Sequence, residues 1–188
     1  MPRRILDLGC TCGNSTLPYV DARPQAEVHA IDLAAPALRY AHARARKLGR
    51  AVHFRQANAE QTGFQSGTFD LVVSHILLHE VSAAALARIF AECHRLLRPG
   101  GVMLHVEVPV RNASLAPIER FMADWETWNN NEPFWQALHG LDLPAAASVA
   151  GFAARYVFDV DFEGGARAFT NDRPWWLFGA VRAVEATT

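Results

Sequence analysis

The chain has 188 residues, of which 51% are hydrophobic and 20% are charged, and its formal net charge is −1. This composition suits one globular domain with a large core and excludes a chain that is disordered over most of its length. A near-zero charge creates no field for non-specific binding of nucleic acid, so no nucleic-acid partner is expected. The three cysteines are too few for a disulfide framework and favour a reducing, cytoplasmic compartment. No apolar run approaches the roughly 20 residues of a membrane-spanning helix, so no membrane segment is expected.

Short apolar runs alternate with helical patterns over the first 108 residues. The predicted strands are 4–8, 28–31, 52–56, 69–74 and 102–108, and the predicted helices are 14–20, 36–48 and 82–98. Ser82 is the expected N-cap of the third helix, and Pro99-Gly100-Gly101 is expected to end it. Strands that alternate with helices predict right-handed βαβ units and therefore a doubly wound, mostly parallel sheet in an α/β protein.

The last third of the chain has a different pattern. Residues 114–150 have helical and irregular patterns, and two strand-like runs follow at 154–162 and 175–183. A loop with glycine and aspartate joins these runs, which predicts an antiparallel hairpin at one edge of the sheet. We therefore expect one domain over residues 1–188, with a helical cap or lid inserted at about residues 112–150.

The most informative segment runs from residue 5 to residue 16, where a predicted strand leads through a glycine-containing turn into a helix. In an open parallel sheet, ligands bind at the carboxyl ends of the strands, and glycine lets them approach the backbone closely. Asp32 ends the second predicted strand, 19 residues after Gly13. A carboxylate in that place accepts hydrogen bonds from both hydroxyls of a ribose. The segment therefore predicts an adenosine-containing ligand.

Two details separate the possible adenosine cofactors. The spacing is Gly9-x-x-x-Gly13 and not the G-x-G-x-x-G of dinucleotide-binding folds, which disfavours an NAD-dependent oxidoreductase. Asp7 lies at the end of the first strand, where its charge would repel a pyrophosphate but attract an amino group or a sulfonium.

Five motifs occur in the order and spacing of a known family. They are the acidic turn Asp7–Gly13, with Thr11 in place of a middle glycine, then Asp32, Asn58-Ala59-Glu60, the fourth-strand segment 69–74, and Leu96–Gly101. With these motifs the chain resembles the class I S-adenosylmethionine-dependent methyltransferases of the small-molecule, UbiE-like type. The resemblance implies a Rossmann-like, seven-stranded sheet with an antiparallel C-terminal strand, and S-adenosyl-L-methionine as the cofactor.

The resemblance also implies which residues contact each part of the cofactor. Against the methionyl part lie Asp7, Gly9, Cys10, Thr11 and Gly13. The other contacts are Asp32 on the ribose, Leu33 and Ala59 on the adenine faces, Asn58 or Glu60 at the amino edge, and Ser74 after the fourth strand. Thr11 departs from the family pattern, which has glycine at that position. Threonine is poorly suited to a turn that needs a positive φ.

Acceptors lie after the fourth strand in that family, which makes His79 a candidate catalytic residue and His75 a candidate pocket residue. A packing role for His79 stays open. The two histidines have a spacing that can bind zinc, but no HExxH order and no third ligand are evident, so no metal is predicted. Phe121, Trp125 and Trp128 share one helical face, which predicts either a core face or an apolar lid over a ring-bearing acceptor.

Methyl transfer from a sulfonium needs alignment of the two reactants, and it needs a base only where the acceptor must lose a proton. The motifs typical of nucleic-acid amino methylation, cytosine C5 methylation, arginine methylation and magnesium-dependent catechol methylation do not occur. We therefore predict methyl transfer to the O, N or C atom of a small, apolar or ring-bearing acceptor. A non-catalytic member that binds the cofactor weakly, or that serves as a partner subunit, is the alternative.

The first predicted strand begins at about residue 4, whereas members of that family usually carry a covering helix before it. Parallel strands are normally buried on both faces. We therefore expect that the chain is shortened or that another chain supplies the cover, with an exposed apolar patch near the first helix and a homo-oligomer as consequences.

Overall fold

A computed structural model describes residues 1–107, 117–162 and 175–184. Its strands are β1 (Arg4–Leu8), β2 (Glu27–Asp32), β3 (His53–Gln56), β4 (Phe69–His75), β5 (Leu97–Glu107), β6 (Val157–Phe162) and β7 (Trp175–Val181). Its helices are α1 (Thr16–Ala22), α2 (Ala35–Lys47), α3 (Ala83–Leu96), α4 (Pro117–Asn129), α5 (Trp135–His139) and α6 (Leu143–Val149), with short 3₁₀ turns at Leu78–Glu80 and Ala154–Tyr156. Within these described segments, every helix is too short or too polar to cross a membrane.

The strands form one seven-stranded sheet in the order β3-β2-β1-β4-β5-β7-β6. Strands β1 to β5 pair in parallel, and β7 lies antiparallel between β5 and β6. The predicted fold class and the C-terminal hairpin are thereby confirmed. The strand order reverses between β1 and β4, so a ligand cleft is expected at the carboxyl ends of these two strands.

Apolar side chains cover both faces of the central strands. On one face Leu6, Leu8 and Val72 belong to the large core cluster that includes Phe90 of α3 and Phe178 of β7. On the other face Ile5 and Val73 pack with partly buried side chains that include those of α1. Strands buried on two faces are mostly apolar along their length, and this is why apolar residues predominate in β1 and β4, although Asp7 and Asp70 interrupt them.

Several boundaries differ from the sequence-based prediction, and two of them bear on the site. Helix α1 begins at Thr16 and not at residue 14, and the hydroxyls of Ser15 and Thr16 donate hydrogen bonds to Asp7 at its start. Strand β5 begins at Leu97 and not at residue 102: Phe69 pairs with Leu97, the register then shifts, and Leu71 pairs with Val102. The Pro-Gly-Gly segment is therefore an irregularity within β5 and not a turn before it.

The predicted N-cap of α3 is confirmed, because the Ser82 hydroxyl accepts a hydrogen bond from the Ala85 amide at 3.2 Å.

Residues 112–116 of the predicted cap lie outside the described residues, and the rest of it contains α4, α5 and α6. Helix α6 packs against α3 and the C-terminal hairpin, and its Leu143 and Ala147 belong to the main core. The large apolar side chains of α4 are exposed instead: Ile118, Phe121, Met122, Trp125 and Trp128, at 47 to 80% of their surface. The core-face interpretation of these residues is wrong, whereas the lid over an acceptor stays a prediction.

Candidate functional site

The turn after β1 has a left-handed backbone at three positions. The φ angles are 68° at Gly9, 44° at Thr11 and 76° at Gly13. Threonine is strained there, since a left-handed conformation costs an L-residue roughly 1–2 kcal/mol. A hydrogen bond from the Thr11 amide to Asp32 Oδ2, 2.8 Å long, fixes this conformation. A side chain at Gly9 would lie 2.9 Å from Leu77 Cδ1, so the turn packs directly against the loop that follows β4.

Asp32 lies at the end of β2 beside this turn. Its Oδ2 accepts the Thr11 amide, and its Oδ1 accepts the Ala34 amide at 2.7 Å. A carboxylate has about four acceptor positions, so two backbone bonds leave acceptor capacity on both oxygens. The structure therefore brings together the two features that the sequence predicted for a ribose site, the glycine turn and the acid after the second strand.

Asp7 is completely buried under the same turn. Its Oδ2 accepts hydrogen bonds from the hydroxyls of Thr16 at 2.6 Å and Ser15 at 3.1 Å. Its Oδ1 has no donor within residues 1–107, 117–162 and 175–184. Burial raises the pKa of Asp7 to about 6, although the two hydroxyls lower it, and the charge of Asp32 raises it further. A buried acceptor without a partner is costly, so this oxygen suits a ligand that brings a hydrogen-bond donor or a positive charge.

The loop after β3 approaches the end of β2. Gln56 Nε2 donates to the Leu33 carbonyl at 2.8 Å, and the side chain of Leu33 is 66% exposed. Glu60 forms an ion pair with Arg88, whereas Asn58 is exposed and accepts the Glu60 amide at 2.9 Å. Of the two residues predicted for the adenine amino edge, Asn58 is therefore the better placed. Ala59 is partly buried and packs against the main core.

Besides Asp7, two predicted cofactor residues have buried side chains, Cys10 and Ser74. Cys10 packs with Ala30 and Leu38, and burial raises the pKa of its thiol, which makes it unreactive. Ser74 is fully buried, and its hydroxyl lies 2.6 Å from His105 Nδ1. That hydroxyl already has a partner inside the core, so a cofactor contact of Ser74 stays a prediction. At these two positions only the backbone can contribute to a ligand site.

The loop after β4 is strained and is fixed by one carboxylate. Ile76 has a φ of 58°, which is a rare conformation for a β-branched residue. Glu107, the buried last residue of β5, accepts the amides of Leu77 at 2.7 Å and Leu78 at 2.5 Å through Oε1. The sequence analysis missed Glu107, although an acid at the end of the apolar strand β5 was the available signal.

The other oxygen of Glu107 binds His79. The distance from Oε2 to His79 Nδ1 is 2.7 Å, and the histidine is 2% exposed. Burial lowers the pKa of His79, but the hydrogen bond and charge of Glu107, together with the charges of Glu80 and Glu132, raise it above its ordinary value. Because Glu107 occupies Nδ1, the nitrogen left for a ligand is Nε2, which lies 3.6 Å from Glu80 Oε1. Glu107, which comes 28 positions after His79 in the chain, therefore fixes both the loop after β4 and the candidate catalytic histidine.

Aromatic rings lie beside both predicted acceptor-side histidines. The Trp135 ring lies 4.7 Å from the His79 ring, and the Trp175 ring lies 5.4 Å from that of His75. His75 is half-buried, and this burial lowers its pKa. The structure also brings the Glu132 carboxylate to His79 and Glu80, with ligand atoms within 4.8 Å of one another. This group differs from the pair of His75 and His79 whose spacing can bind zinc, because His75 is not part of it.

A family model for a methyltransferase domain matches residues 5–101, from β1 into β5. Together with the strand order and the acidic turn, this match decides the family. The chain belongs to the class I S-adenosylmethionine-dependent methyltransferases. S-adenosylmethionine is the cofactor of this family, and the match covers every cofactor position that the sequence predicted.

Two relatives and one solved structure extend the comparison. An uncharacterized methyltransferase of Synechocystis sp. is 34% identical over 152 residues, which are 80% of this chain and 66% of that protein. The demethylmenaquinone methyltransferase of Thermus thermophilus is 35% identical over 108 residues, 57% of this chain and 48% of that methyltransferase. The chain therefore spans about half to two thirds of these relatives. An S-adenosylmethionine-dependent methyltransferase of Methanosarcina mazei shares the fold with a TM-score of 0.74 at 22% identity, over 97% of this chain and 93% of that one.

Proposed function

We propose that this methyltransferase-family chain binds S-adenosylmethionine between Asp7 and Asp32 and methylates a small, ring-bearing acceptor. The observation that carries the proposal is the buried Oδ1 of Asp7, which has no donor within the described residues and lies under the turn that Asp32 fixes. A cofactor with an ammonium group and a sulfonium supplies the positive charge that this acceptor lacks. The residues present therefore fit the cofactor of the family.

Each part of the cleft has a distinct role in this proposal. Asp32 accepts the ribose hydroxyls with the capacity that its two backbone bonds leave. Asn58 accepts from the amino edge of the adenine, and Leu33 covers one face of the ring with its exposed side chain. Gly9 keeps the turn close to Leu77, which brings the cofactor side and the acceptor side of the cleft together. The bound cofactor supplies an activated methyl group, so the protein's main task is alignment.

His79 is the proposed proton acceptor. For a hydroxyl acceptor, the oxygen would bond to the methyl carbon of the cofactor as the carbon–sulfur bond breaks. S-adenosylhomocysteine would be the leaving group, and the proton of the hydroxyl would move to His79 Nε2. Glu107 is a positioning residue, because it binds Nδ1 and so directs Nε2 to the reaction. Since the pKa of His79 is raised, the neutral form that can accept a proton increases as the pH rises through that value.

The proposal of a ring-bearing acceptor is based on the aromatic side chains of the acceptor side. Trp135 and Trp175 lie beside His79 and His75, and α4 exposes Phe121 and Trp125 with their rings 6.3 Å apart. Aromatic rings bind planar ligands by offset or edge-to-face contacts. The relative from Thermus thermophilus is named for demethylmenaquinone, which contains such a ring. A lid formed by Phe121, Trp125 and Trp128 belongs to this proposal.

A second candidate function is a non-catalytic binding subunit. The observation that favours it is the strained Thr11, at the position where the family motif has glycine. Strain in the turn lowers cofactor affinity if the turn must change to admit the ligand.

Self-association and a cytoplasmic location are further predictions for this chain.

Calorimetric titration with S-adenosylmethionine and S-adenosylhomocysteine, followed by transfer of a labelled methyl group to a panel of phenols and hydroquinones, tests the proposal. We expect binding of both ligands and labelling of at least one phenolic acceptor. Absence of binding at millimolar ligand contradicts the cofactor site. Tight binding without transfer to any member of the panel favours the non-catalytic candidate.

A further inference from the structure

Two histidines and a glutamate meet on one face of the sheet, away from the cofactor cleft. His29 and His53 are direct partners in the parallel pairing of β2 and β3. Glu27 lies two residues before His29 on the same strand, and therefore on the same face. Asp32 comes three positions after His29 on β2, so His29 lies about 10 Å along the strand from the proposed ribose site.

The ligand-type atoms of this group converge on one point. Glu27 Oε1 lies 2.8 Å from His29 Nε2 and 3.9 Å from His53 Nε2, and all three atoms lie within 4.8 Å of one another. A tetrahedral zinc ion with bonds of about 2.0–2.2 Å holds its ligand atoms about 3.3 Å apart. The two distances to Glu27 bracket this value, so small rotations of the side chains bring all three atoms to one ion.

Neighbouring side chains orient two of the three groups. Arg4 Nε binds the other oxygen of Glu27, Oε2, at 2.8 Å, which leaves Oε1 directed to the histidines. The rings of Phe64 and Phe69 meet the His29 ring edge-on at 5.5 and 5.4 Å. A hydrogen bond to a metal ligand, such as that from Arg4 to Glu27, fixes the orientation of the ligand, and its loss typically weakens metal binding about 10- to 100-fold. His53 is 64% exposed in its side chain, so the site is open to ions from solvent.

We propose that Glu27, His29 and His53 form a binding site for a divalent transition-metal ion of the zinc type. Two imidazole nitrogens and one carboxylate favour zinc, copper, nickel or cobalt over magnesium and calcium, which prefer oxygen ligands. A fourth position is left for water. The ion joins β2 to β3, the short strand at the edge of the sheet. The carboxyl end of β3 leads into the loop with Asn58, so the site stabilises the strand that carries the adenine contacts.

Titration of the tag-free protein with Zn²⁺ by calorimetry, and with Co²⁺ by visible absorption, tests this site. The test variant is His53→Ala, because its exposed side chain can be removed without disturbing the core. The matched control is His42→Ala, which removes an exposed histidine of α2 that lies outside the group. A third variant, Glu80→Gln, alters the separate group of His79, Glu80 and Glu132.

We expect one Zn²⁺ per chain, at least tenfold weaker binding in His53→Ala, and unchanged binding in His42→Ala and Glu80→Gln. The wild-type protein, but not His53→Ala, should also show a higher thermal midpoint with Zn²⁺. Equal affinity in the wild type and His53→Ala overturns the proposal, and so does an absence of binding at millimolar Zn²⁺. Loss of the ion in Glu80→Gln assigns the metal to the other group and overturns it as well.

Discussion

The two sides of the cleft use their carboxylates differently. On the cofactor side, Asp7 keeps one buried oxygen without a donor in the described residues, and Asp32 uses one backbone amide on each oxygen. On the acceptor side, Glu107 binds two amides through one oxygen and His79 through the other. The carboxylates of the cofactor side therefore retain hydrogen-bond acceptor capacity for a ligand, whereas both oxygens of Glu107 already bind groups of the loop after β4. Under the proposed function, this difference separates the two carboxylates that bind the cofactor from the one that positions His79.

The largest effect expected from this comparison is on turnover. His79→Gln removes the proposed proton acceptor, and general-base catalysis contributes about 10²–10⁴-fold. We therefore expect a loss of that size in kcat for a hydroxyl acceptor, with cofactor affinity unchanged, because the side chain of His79 contacts Glu107, Glu80 and Trp135 on the acceptor side. Single-turnover assays and calorimetry on the same preparation measure the two quantities. Activity within a few-fold of wild type excludes His79 from the proton transfer.

Glu107→Gln separates positioning from catalysis on the same side. Glu107 raises the pKa of His79, so a neutral amide in its place lowers that pKa. The acidic limb of the pH–rate profile, along which His79 loses its proton, is then expected to move to lower pH. A merely structural role for Glu107 reduces the rate without moving the limb.

On the cofactor side, Asp32→Ala tests the carboxylate that keeps acceptor capacity. A hydrogen bond to a charged group contributes about 1.5–3 kcal/mol, so the cofactor Kd should rise about 10- to 100-fold. The fold should persist, because Asp32 lies half-buried at a strand end. Asp21→Ala, which removes an exposed acid near the C-terminal end of α1, is a matched control. An unchanged Kd in Asp32→Ala removes this residue from the ribose site.

Asp7→Asn should change the pH dependence of stability. The pKa of Asp7 is raised from 3.8 to about 6 in the folded protein. The folded state therefore binds more protons than the unfolded state between these values, and stability falls as the pH rises from about 4 to 7. Two pKa units correspond to about 3 kcal/mol, which is the largest loss expected. The variant should lack this loss in denaturant titrations at several pH values, and a parallel loss in both proteins would contradict the assignment.

Local patterns predicted one side of the cleft better than the other. The Gly9–Gly13 turn directly follows a buried strand, and Asp32 ends another. Asp7 bonds to residues only 8 and 9 positions later, so these features can be predicted from short segments of the sequence. The Glu107–His79 pair depends on the register of β4 with β5 across 28 positions, which no local motif encodes. The bulge at Pro99–Gly101 was missed for the same reason. The family resemblance suggested Ser74 as a cofactor residue, and the local sequence does not show that its hydroxyl pairs with His105 on the neighbouring strand β5.

The smallest expected effect separates the two candidate functions. Thr11→Gly removes a left-handed strain of roughly 1–2 kcal/mol, but glycine adds about 0.5–1 kcal/mol of backbone entropy to the unfolded chain. The net gain in stability should therefore be about 1 kcal/mol or less. Because the Asp32 hydrogen bond already fixes the turn without ligand, the strain contributes little to the binding step. We expect a cofactor Kd within about threefold of wild type, since 1.4 kcal/mol corresponds to a factor of ten. Calorimetry on both proteins checks this expectation. A Kd that tightens tenfold or more would show that Thr11 holds the turn in a form that opposes the ligand, as the non-catalytic candidate requires.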